Sequence, residues 1–247
     1  MNFMNKLINY FLYNKFFVKI YFYYKENLQV DFQKNHLLDK LYFSASEDTY
    51  NYFKNDLKKT FLNLSKNQIR QYSIKIAIEN GVDGGLFLEL GVLNGASINL
   101  FADFLEKEEL KIYGFDSFQG FSSNWPGSHL QSRSFNREGI LPKVKKNVEL
   151  IKGNVIDTFE KFLEEKKKNI NFIHLDIDFY EATTHCLKVA KKYLKKGAYI
   201  LLDDFANYPG WENGTFKAIN DNFLRQDYEI ISFGVYRSST ILLKIIK

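Results

Sequence analysis

The sequence predicts an α/β protein built on a mostly parallel sheet with helices on both faces. From about residue 67, short apolar runs alternate with segments whose apolar residues recur every three or four positions. This alternation is typical of parallel strands joined by helices. The polar residues that interrupt the apolar runs fall at the same end of each predicted strand, and two apolar runs at the end of the chain favour an antiparallel hairpin.

The predicted elements follow in regular order. Predicted strands are short apolar runs that end in a glycine or a polar residue, and they cover 85–92, 111–118, 147–154, 170–178 and 198–205. Predicted helices have apolar residues on one face, and they cover 67–80, 97–109, 155–168, 181–196 and 214–226. The final hairpin covers 228–246. Ligands of such sheets bind outside the carboxyl ends of the strands, so the polar residues gathered there predict one site.

Residues 1–66 have few glycines or prolines and predict a helical extension ahead of the main domain, which covers 67–247. The first 25 residues place lysines beside aromatic side chains and can form an amphipathic helix. Such a helix either packs on the main domain or a second subunit, or lies at a membrane interface, where lysines and aromatic rings suit the headgroups. The sequence leaves both alternatives open, and with them a possible homodimer and a possible peripheral membrane contact.

Composition excludes several classes of protein. The chain has 247 residues, a net charge of +5 spread over many lysines, and one cysteine, Cys186. A spread charge is unlike the clustered basic stripe of a nucleic-acid-binding protein, and one cysteine excludes an internal disulfide. No apolar run approaches the length of a membrane span, and no secretory signal is visible. We therefore expect a cytoplasmic protein with no transmembrane segment and no nucleic-acid partner.

The stretch "FLELGVLNGAS" contains a glycine-rich turn between the first predicted strand of the main domain and a helix that begins near Ser97. Gly91 allows a tight turn, and Gly95 allows a ligand to approach the backbone closely. The spacing differs from the dinucleotide fingerprint, and a phosphate-binding lysine is absent. Because Glu89 lies just before the turn, a ligand with an ammonium or sulfonium group fits better than a phosphate.

"ELGVLNGAS" resembles motif I of class I S-adenosylmethionine-dependent methyltransferases. The resemblance narrows to the TylF/MycF (macrocin O-methyltransferase-like) family through "IYGFDSFQGF", Trp125, "FNREGILPKVKKNVELIKGNVIDTF", "LDIDFYEAT" and "LLDDF", in that order over roughly 67–225. It implies a Rossmann-like class I methyltransferase fold for 67–247. It further implies that Asp116 binds the two ribose hydroxyls of the methyl donor. The full set of expected cofactor-binding residues is Glu89, Gly91, Gly95, Ser97, Asp116, Ser117, Asn154 and Val155.

Asp203 and Asp204 are adjacent carboxylates that repel each other unless a cation lies between them. The resemblance implies that a divalent metal, normally Mg²⁺, is held by Asp176, Asp203 and Asp204, and Mg²⁺ prefers oxygen ligands of this kind. Asp178 is the expected general base or hydrogen-bond acceptor for the substrate, and Asp176 is the second expected catalytic residue. Spacing does not decide between Asp176 and Asp178 as the metal ligand, although Asp176 directly follows the apolar run "FIHL" and is favoured.

The family resemblance implies an O-methyltransferase that acts on a sugar hydroxyl of a bacterial glycan or a glycosylated metabolite. Bound to a dication, a hydroxyl loses its proton more readily, which makes it a better acceptor for the methyl group. Two alternatives stay open at this stage. One is an O-methyltransferase of a non-sugar small hydroxyl compound, and the other is a module that binds S-adenosylmethionine without catalysis.

Overall fold

A computed structural model of the chain describes residues 36–125 and 130–247. The chain divides into two compact units, Met1–Lys40 and Leu41–Lys247. The amphipathic helix expected in the first 25 residues, with its membrane or subunit contact, lies outside the described residues. The domain boundary expected at residue 66 falls inside the larger unit, which begins 26 residues earlier in the chain, at Leu41.

The structure contains six α-helices and eight strands within the described ranges. The helices are α1 His36–Leu57, α2 Lys66–Asn80, α3 Ala96–Leu105, α4 Val155–Lys166, α5 Tyr180–Ala190 and α6 Thr215–Asn222. The strands are β1 Phe61–Asn63, β2 Leu86–Leu90, β3 Ile112–Asp116, β4 Val148–Lys152, β5 Ile170–Leu175, β6 Leu194–Ala206, β7 Tyr228–Gly234 and β8 Ser239–Ile245. Short 3₁₀ turns follow α3 and flank α6.

All eight strands form one sheet in the order β1-β7-β8-β6-β5-β2-β3-β4. β6, β5, β2, β3 and β4 run parallel, whereas β8 pairs antiparallel with both β6 and β7. This confirms the predicted mostly parallel sheet and its antiparallel C-terminal hairpin. The sequence did not predict β1, a three-residue strand that pairs parallel with β7 at the edge of the sheet.

Helices cover both faces of the sheet, as predicted. All five residues of β2 and all six of β5 are buried, which explains why these strands are mostly apolar and do not alternate between apolar and polar residues. On one face the side chains pack against α4, α5, α6 and part of α1, and on the other they pack against α2 and α3. Within the described parts of the chain, no helix is both long and apolar enough to cross a membrane.

Gly91 allows the carboxyl ends of β2 and β5 to lie close together. The Asp176 amide donates a hydrogen bond to the Leu90 carbonyl at 2.8 Å, so the pairing of β2 with β5 continues past the end of β5. A Cβ atom on Gly91 would lie 1.9 Å from the Asp176 carbonyl oxygen, and Gly91 also has a φ of 89°. Only glycine fits this position, and the turn after β2 therefore lies directly beside the acids that follow β5.

Candidate active site

A cavity of about 1360 Å³ opens at the carboxyl edge of the parallel strands. Its wall includes the glycine turn, the end of β3, the loop that follows β3, the start of α4, the two acids after β5, and Asp204 in β6. Nine of the residues expected from the sequence line it, namely Gly91, Ser97, Asp116, Ser117, Asn154, Val155, Asp176, Asp178 and Asp204. The other three, Glu89, Gly95 and Asp203, lie behind the cavity wall.

Asp116 organises the glycine turn. Its Oδ2 atom accepts hydrogen bonds from the amides of Val92 at 2.9 Å and Leu93 at 2.8 Å, and its Oδ1 atom accepts one from Phe118 at 2.7 Å. A carboxylate offers about four acceptor positions, so three amides leave room for a further donor. Asp116 is half-buried and lines the cavity, as a group that binds hydroxyls of a ligand would have to be.

Two helices begin at the cavity. Gly95 has a φ of 81° and starts α3, which places Ser97 in the first turn of that helix. The Asn154 side chain caps α4 by accepting a hydrogen bond from the Ile156 amide at 3.0 Å. Ser117 accepts a hydrogen bond from the Gln119 amide at 3.2 Å and so orders the start of the loop after β3. These residues shape the part of the cavity next to the glycine turn.

Glu89 does not reach the cavity. Its carboxylate and the His174 ring are both fully buried, with Glu89 Oε1 2.7 Å from His174 Nδ1. The Phe101 ring lies edge-on to the His174 ring at 5.3 Å. The role of Glu89 in cofactor binding stays a prediction, and any attraction of its buried carboxylate for a cationic ligand would act through intervening atoms.

Asp176, Asp178 and Asp204 form an acidic cluster on the cavity wall. One carboxylate oxygen of each lies within 4.8 Å of one from each of the others. Burial, followed by repulsion from neighbouring carboxylates, raises the pKa of Asp176 and of Asp178 well above the ordinary value. The pKa of Asp204 is raised for the same two reasons.

The backbone of Asp178 has a φ of 60° and that of Asp204 a φ of 42°, conformations that are uncommon for residues other than glycine.

Asp203 does not line the cavity, although one of its carboxylate oxygens lies within 4.8 Å of one from Asp176, and it is saturated with hydrogen bonds. Its Oδ2 atom accepts from Lys66 Nζ at 3.1 Å and from Arg70 Nη2 at 2.9 Å. Its Oδ1 atom accepts from the Thr240 hydroxyl and from the Asp204 amide. All four acceptor positions of the carboxylate are thus in use. Burial alone raises the pKa of Asp203, but Lys66 and Arg70 outweigh it and hold that pKa far below the ordinary value.

Lys66 and Arg70 are site residues that the sequence analysis missed. They lie one turn apart on the same face of α2, at the end of the helix that meets the acids. Arg70 Nη2 lies 3.2 Å from Asp176 Oδ2 as well as 2.9 Å from Asp203 Oδ2, and therefore joins the ends of β5 and β6. The sequence did carry a signal for these residues, because two cations lie four positions apart on the helix before the first strand of the main domain. It does not show which acids the two cations contact.

The residues present fit a divalent cation. Two sets of side chains have ligand atoms close enough to share an ion, namely His174, Asp176 and Asp203, and separately Asp176, Asp178 and Asp204. Only the second set lines the cavity in full, and its oxygen donors suit a hard ion such as Mg²⁺. Two members of the predicted metal set, Asp176 and Asp204, therefore lie together, whereas Asp203 is engaged by Lys66, Arg70 and Thr240.

Aromatic side chains form the outer part of the cavity wall. Phe121 packs edge-on against Phe135 at 5.1 Å and against Phe179 at 5.0 Å, and all three line the cavity. Trp125 also lines it and lies 5.5 Å from the Tyr208 ring. Serine and asparagine side chains of the same loop alternate with these rings along the wall. The surface is thus partly apolar and partly able to hydrogen-bond.

Comparisons with known proteins agree with this architecture. Residues 88–205 match the family model described as Methyltransferase domain. A curated relative from Streptomyces olivaceus, 8-demethyl-8-(2,3-dimethoxy-alpha-L-rhamnosyl)-tetracenomycin-C 4'-O-methyltransferase, is 26% identical over 166 residues. The alignment covers 60% of this chain and 62% of that protein, so the chain matches less than two thirds of its relative's length.

Two solved structures share the fold. The calicheamicin methyltransferase CalS11 superposes with a TM-score of 0.59 at 21% identity, covering 85% of this chain and 90% of that one. The O-methyltransferase NovP superposes with a TM-score of 0.53 at 18% identity, covering 74% of this chain and 80% of that one. The chain therefore has the Rossmann-like fold of class I methyltransferases. Residues 88–205 are similar to a methyltransferase domain, which is a domain of enzymes.

Proposed function

We propose that the protein is an S-adenosylmethionine-dependent O-methyltransferase that requires a divalent metal and methylates a sugar hydroxyl. One observation carries the proposal. A single cavity wall holds both the glycine turn organised by Asp116 and the acidic cluster of Asp176, Asp178 and Asp204. The first feature suits a methyl donor that carries ribose hydroxyls, and the second suits a metal that binds an acceptor hydroxyl.

The donor half of the site lies along the glycine turn. S-adenosylmethionine supplies a methyl group activated by its positively charged sulfur. Asp116, already fixed by three amides, has one acceptor position left, which suits one of the two ribose hydroxyls. Ser97, Ser117, Asn154 and Val155 line the neighbouring wall and exclude water from the donor. Gly91 contributes by its lack of a side chain, which allows β2 and β5 to approach each other.

The acceptor half lies at the acidic cluster. A divalent metal supplies positive charge that lowers the pKa of the acceptor hydroxyl. Asp176, Asp178 and Asp204 would hold it with carboxylate oxygens, and Arg70 fixes Asp176 in place. Asp178 is the proposed base, and its carboxylate oxygen takes the proton of the hydroxyl. Without a metal, burial and the neighbouring Asp204 raise the pKa of Asp178.

A sugar is the proposed acceptor because the curated relative is named as a methyltransferase of a rhamnosyl compound and NovP is an O-methyltransferase. The cavity wall adds aromatic rings, which stack on sugar rings, next to polar side chains that bind hydroxyls. The narrower assignment to the TylF/MycF family, with a bacterial glycan or glycosylated metabolite as acceptor, is part of the proposal. A cytoplasmic location is proposed with it.

The test measures donor binding and methyl transfer separately. Calorimetry with the full chain is expected to show binding of S-adenosylmethionine with or without Mg²⁺. Unlabelled S-adenosylmethionine and a panel of nucleotide-linked and glycoside-linked sugars are expected to give a product 14 Da heavier, the mass of one methylene, only when Mg²⁺ is present. Asp204→Asn should retain donor binding and lose at least about tenfold in transfer rate, as loss of a metal ligand does.

Asp83→Asn is the matched control, because Asp83 is exposed and lies outside the cavity. It should behave as the unaltered protein does in both assays. Absence of any binding of S-adenosylmethionine would contradict the whole proposal. Transfer that proceeds equally well in EDTA would remove the metal from it and leave the methyltransferase activity standing.

A further inference from the structure

Lys66 places an ammonium group on the acids that bracket the proposed metal site. Its Nζ atom lies 3.1 Å from Asp203 Oδ2 and 3.6 Å from Asp204 Oδ1. Asp204 belongs to the acidic cluster on the cavity wall, and Lys66 lines the same cavity. A lysine ammonium is a compact cation with three donors, so it satisfies the carboxylates in a place that a metal ion would also favour.

Lys66 and Arg70 differ in how easily they can leave. The Lys66 side chain is 39% exposed and lies in the first turn of α2, on a flexible stem that reaches solvent by rotation. The Arg70 side chain is only 13% exposed and holds two carboxylates, those of Asp176 and Asp203, through one nitrogen. Arg70 is therefore a fixed part of the site, and Lys66 is an exchangeable one.

We propose that Lys66 and the divalent metal compete for the acids near the end of β6, so that metal binding releases the Lys66 ammonium. The Lys66 ammonium lies 3.6 Å from Asp204 Oδ1. A metal bound to that carboxylate would lie close to the ammonium, and the two positive charges would repel each other. Release also frees an acceptor position on Asp203, whose four positions are otherwise filled. Lys66 thus sets the metal affinity of the enzyme. This inference rests on the metal site of the proposed function.

The first experiment measures Mn²⁺ affinity, with Mn²⁺ as a stand-in for Mg²⁺ because both take carboxylate and water ligands. The paramagnetic resonance signal of the free ion gives the dissociation constant without any assay of activity. Lys66→Met is expected to bind Mn²⁺ about tenfold more tightly than the unaltered protein, a coupling of ordinary size between two binding events. Lys66→Arg, which keeps the charge, should not gain affinity.

Lys75→Met is the matched control. Lys75 lies on the same helix, is exposed, and has its ammonium over the Phe104 ring at 5.2 Å, away from the acids. It removes the same formal charge from the protein and should leave the Mn²⁺ dissociation constant unchanged. Equal affinities for the unaltered protein and Lys66→Met, or weaker binding by Lys66→Met, would overturn the inference.

The second experiment uses the unaltered protein and does not depend on the folding of a variant. Brief acetylation followed by peptide mass spectrometry measures the access of reagent to each lysine amine. Saturating Mn²⁺ is expected to raise the labelling of Lys66 several-fold, because affinities linked through a shared site change reciprocally. Labelling of Lys58 and Lys59, which are exposed on the segment before β1, should stay constant.

The two experiments separate this inference from the proposed function. A metal-driven rise in Lys66 labelling, in a protein that transfers methyl groups to none of the sugars tested, would support the inference and count against the acceptor. Bound Mn²⁺ with unchanged Lys66 labelling would overturn the inference and leave a metal-dependent methyltransferase intact. Failure of both the unaltered protein and Lys66→Met to bind Mn²⁺ would overturn it as well.

Discussion

At the scale of single residues, two neighbouring aspartates of β6 have different surroundings, which shift their pKa values in opposite directions. Asp203 is buried among two cations and a hydroxyl, which keep it ionised. Asp204 turns toward the cavity, and burial and the negative charge of Asp203 raise its pKa. Successive residues of a strand point to opposite faces, which separates the two side chains, and the φ of 42° at Asp204 is an additional local departure from strand geometry. Backbone strain of this kind is often concentrated at functional sites.

Gly91→Ala tests the close approach of β2 and β5. The added methyl group would meet the Asp176 carbonyl oxygen at 1.9 Å, and the residue would also keep a φ of 89°. Overpacking together with the unfavourable φ is expected to cost about 3 kcal/mol of the free energy of unfolding. Urea denaturation followed by circular dichroism measures this loss.

Gly84→Ala is the control for the backbone alone, since Gly84 has a φ of 63° and its Cβ would meet no atom within 4 Å. It should cost about 1 kcal/mol. Equal losses in the two variants would show that the contact with Asp176 imposes no constraint on Gly91.

Single residues were predicted from the sequence to different degrees. Asp116, Asp176, Asp178 and Asp204 end or follow apolar runs, and the structure brings all four to one cavity. Lys66 was beyond prediction because it meets Asp203 across 137 positions of sequence, a distance that only the folded topology closes. The sequence suggested a cation between Asp203 and Asp204, and the structure places one there in the form of an ammonium group.

At the scale of elements, α2 is joined to the sheet through charge as well as through apolar packing. Ile69, Ile74 and Ala77 pack into the core, while Arg70 on the same helix reaches the ends of β5 and β6. The helix begins at the Ser65 cap, whose hydroxyl accepts a hydrogen bond from the Gln68 amide at 3.3 Å. The start of α2 is therefore fixed next to the acids.

Arg70→Met tests this link. It leaves the buried Asp203 and the partly buried Asp176 without their shared partner, and the expected loss in the free energy of unfolding is about 3 kcal/mol. A double-mutant cycle with Asp203→Asn isolates the pair, and we expect the two losses to be non-additive by about 2 kcal/mol. Urea denaturation of the four proteins gives the coupling energy.

Arg225→Met provides the comparison, because Arg225 contacts Asp56 at 2.6 Å with both side chains substantially exposed. Loss of that surface pair should cost less than about 1 kcal/mol. Strict additivity of Arg70→Met and Asp203→Asn would mean that the arginine does not support Asp203.

Elements were easier to predict than contacts. The central strands β2 and β5 are rich in apolar residues because both their faces are buried, and such runs stand out in the sequence. β1 did not stand out, since it has three residues and two of them are exposed at the sheet edge. Its place beside β7 depends on pairing across more than 160 positions, as in the contact between Asn63 and Ser232.

At the scale of the whole molecule, the acidic cluster makes stability depend on pH. In the unfolded chain, Asp176 and Asp178 release their protons near pH 4. In the folded protein, burial and neighbouring carboxylates raise both pKa values, so the protons are held to higher pH. Between these limits the folded state binds more protons, and the free energy of unfolding falls as the pH rises. Asp203, with its lowered pKa, contributes stability that is lost only in acid.

We therefore expect the metal-free protein to unfold at a lower urea concentration near pH 8 than near pH 5. The free energy of unfolding should fall by about 1.4 kcal/mol for each unit by which a pKa is raised. Asp178→Asn should reduce this difference, because it removes one of the three carboxyl groups whose pKa is raised, and Asp83→Asn should not. Mg²⁺ requires the ionised carboxylates, so it should stabilise the protein more near pH 8 than near pH 5. The same urea titrations in EDTA and in excess Mg²⁺ measure both effects. Stabilisation by Mg²⁺ that is equal at the two pH values, or that persists in Asp204→Asn, would mean that the ion binds elsewhere on the protein.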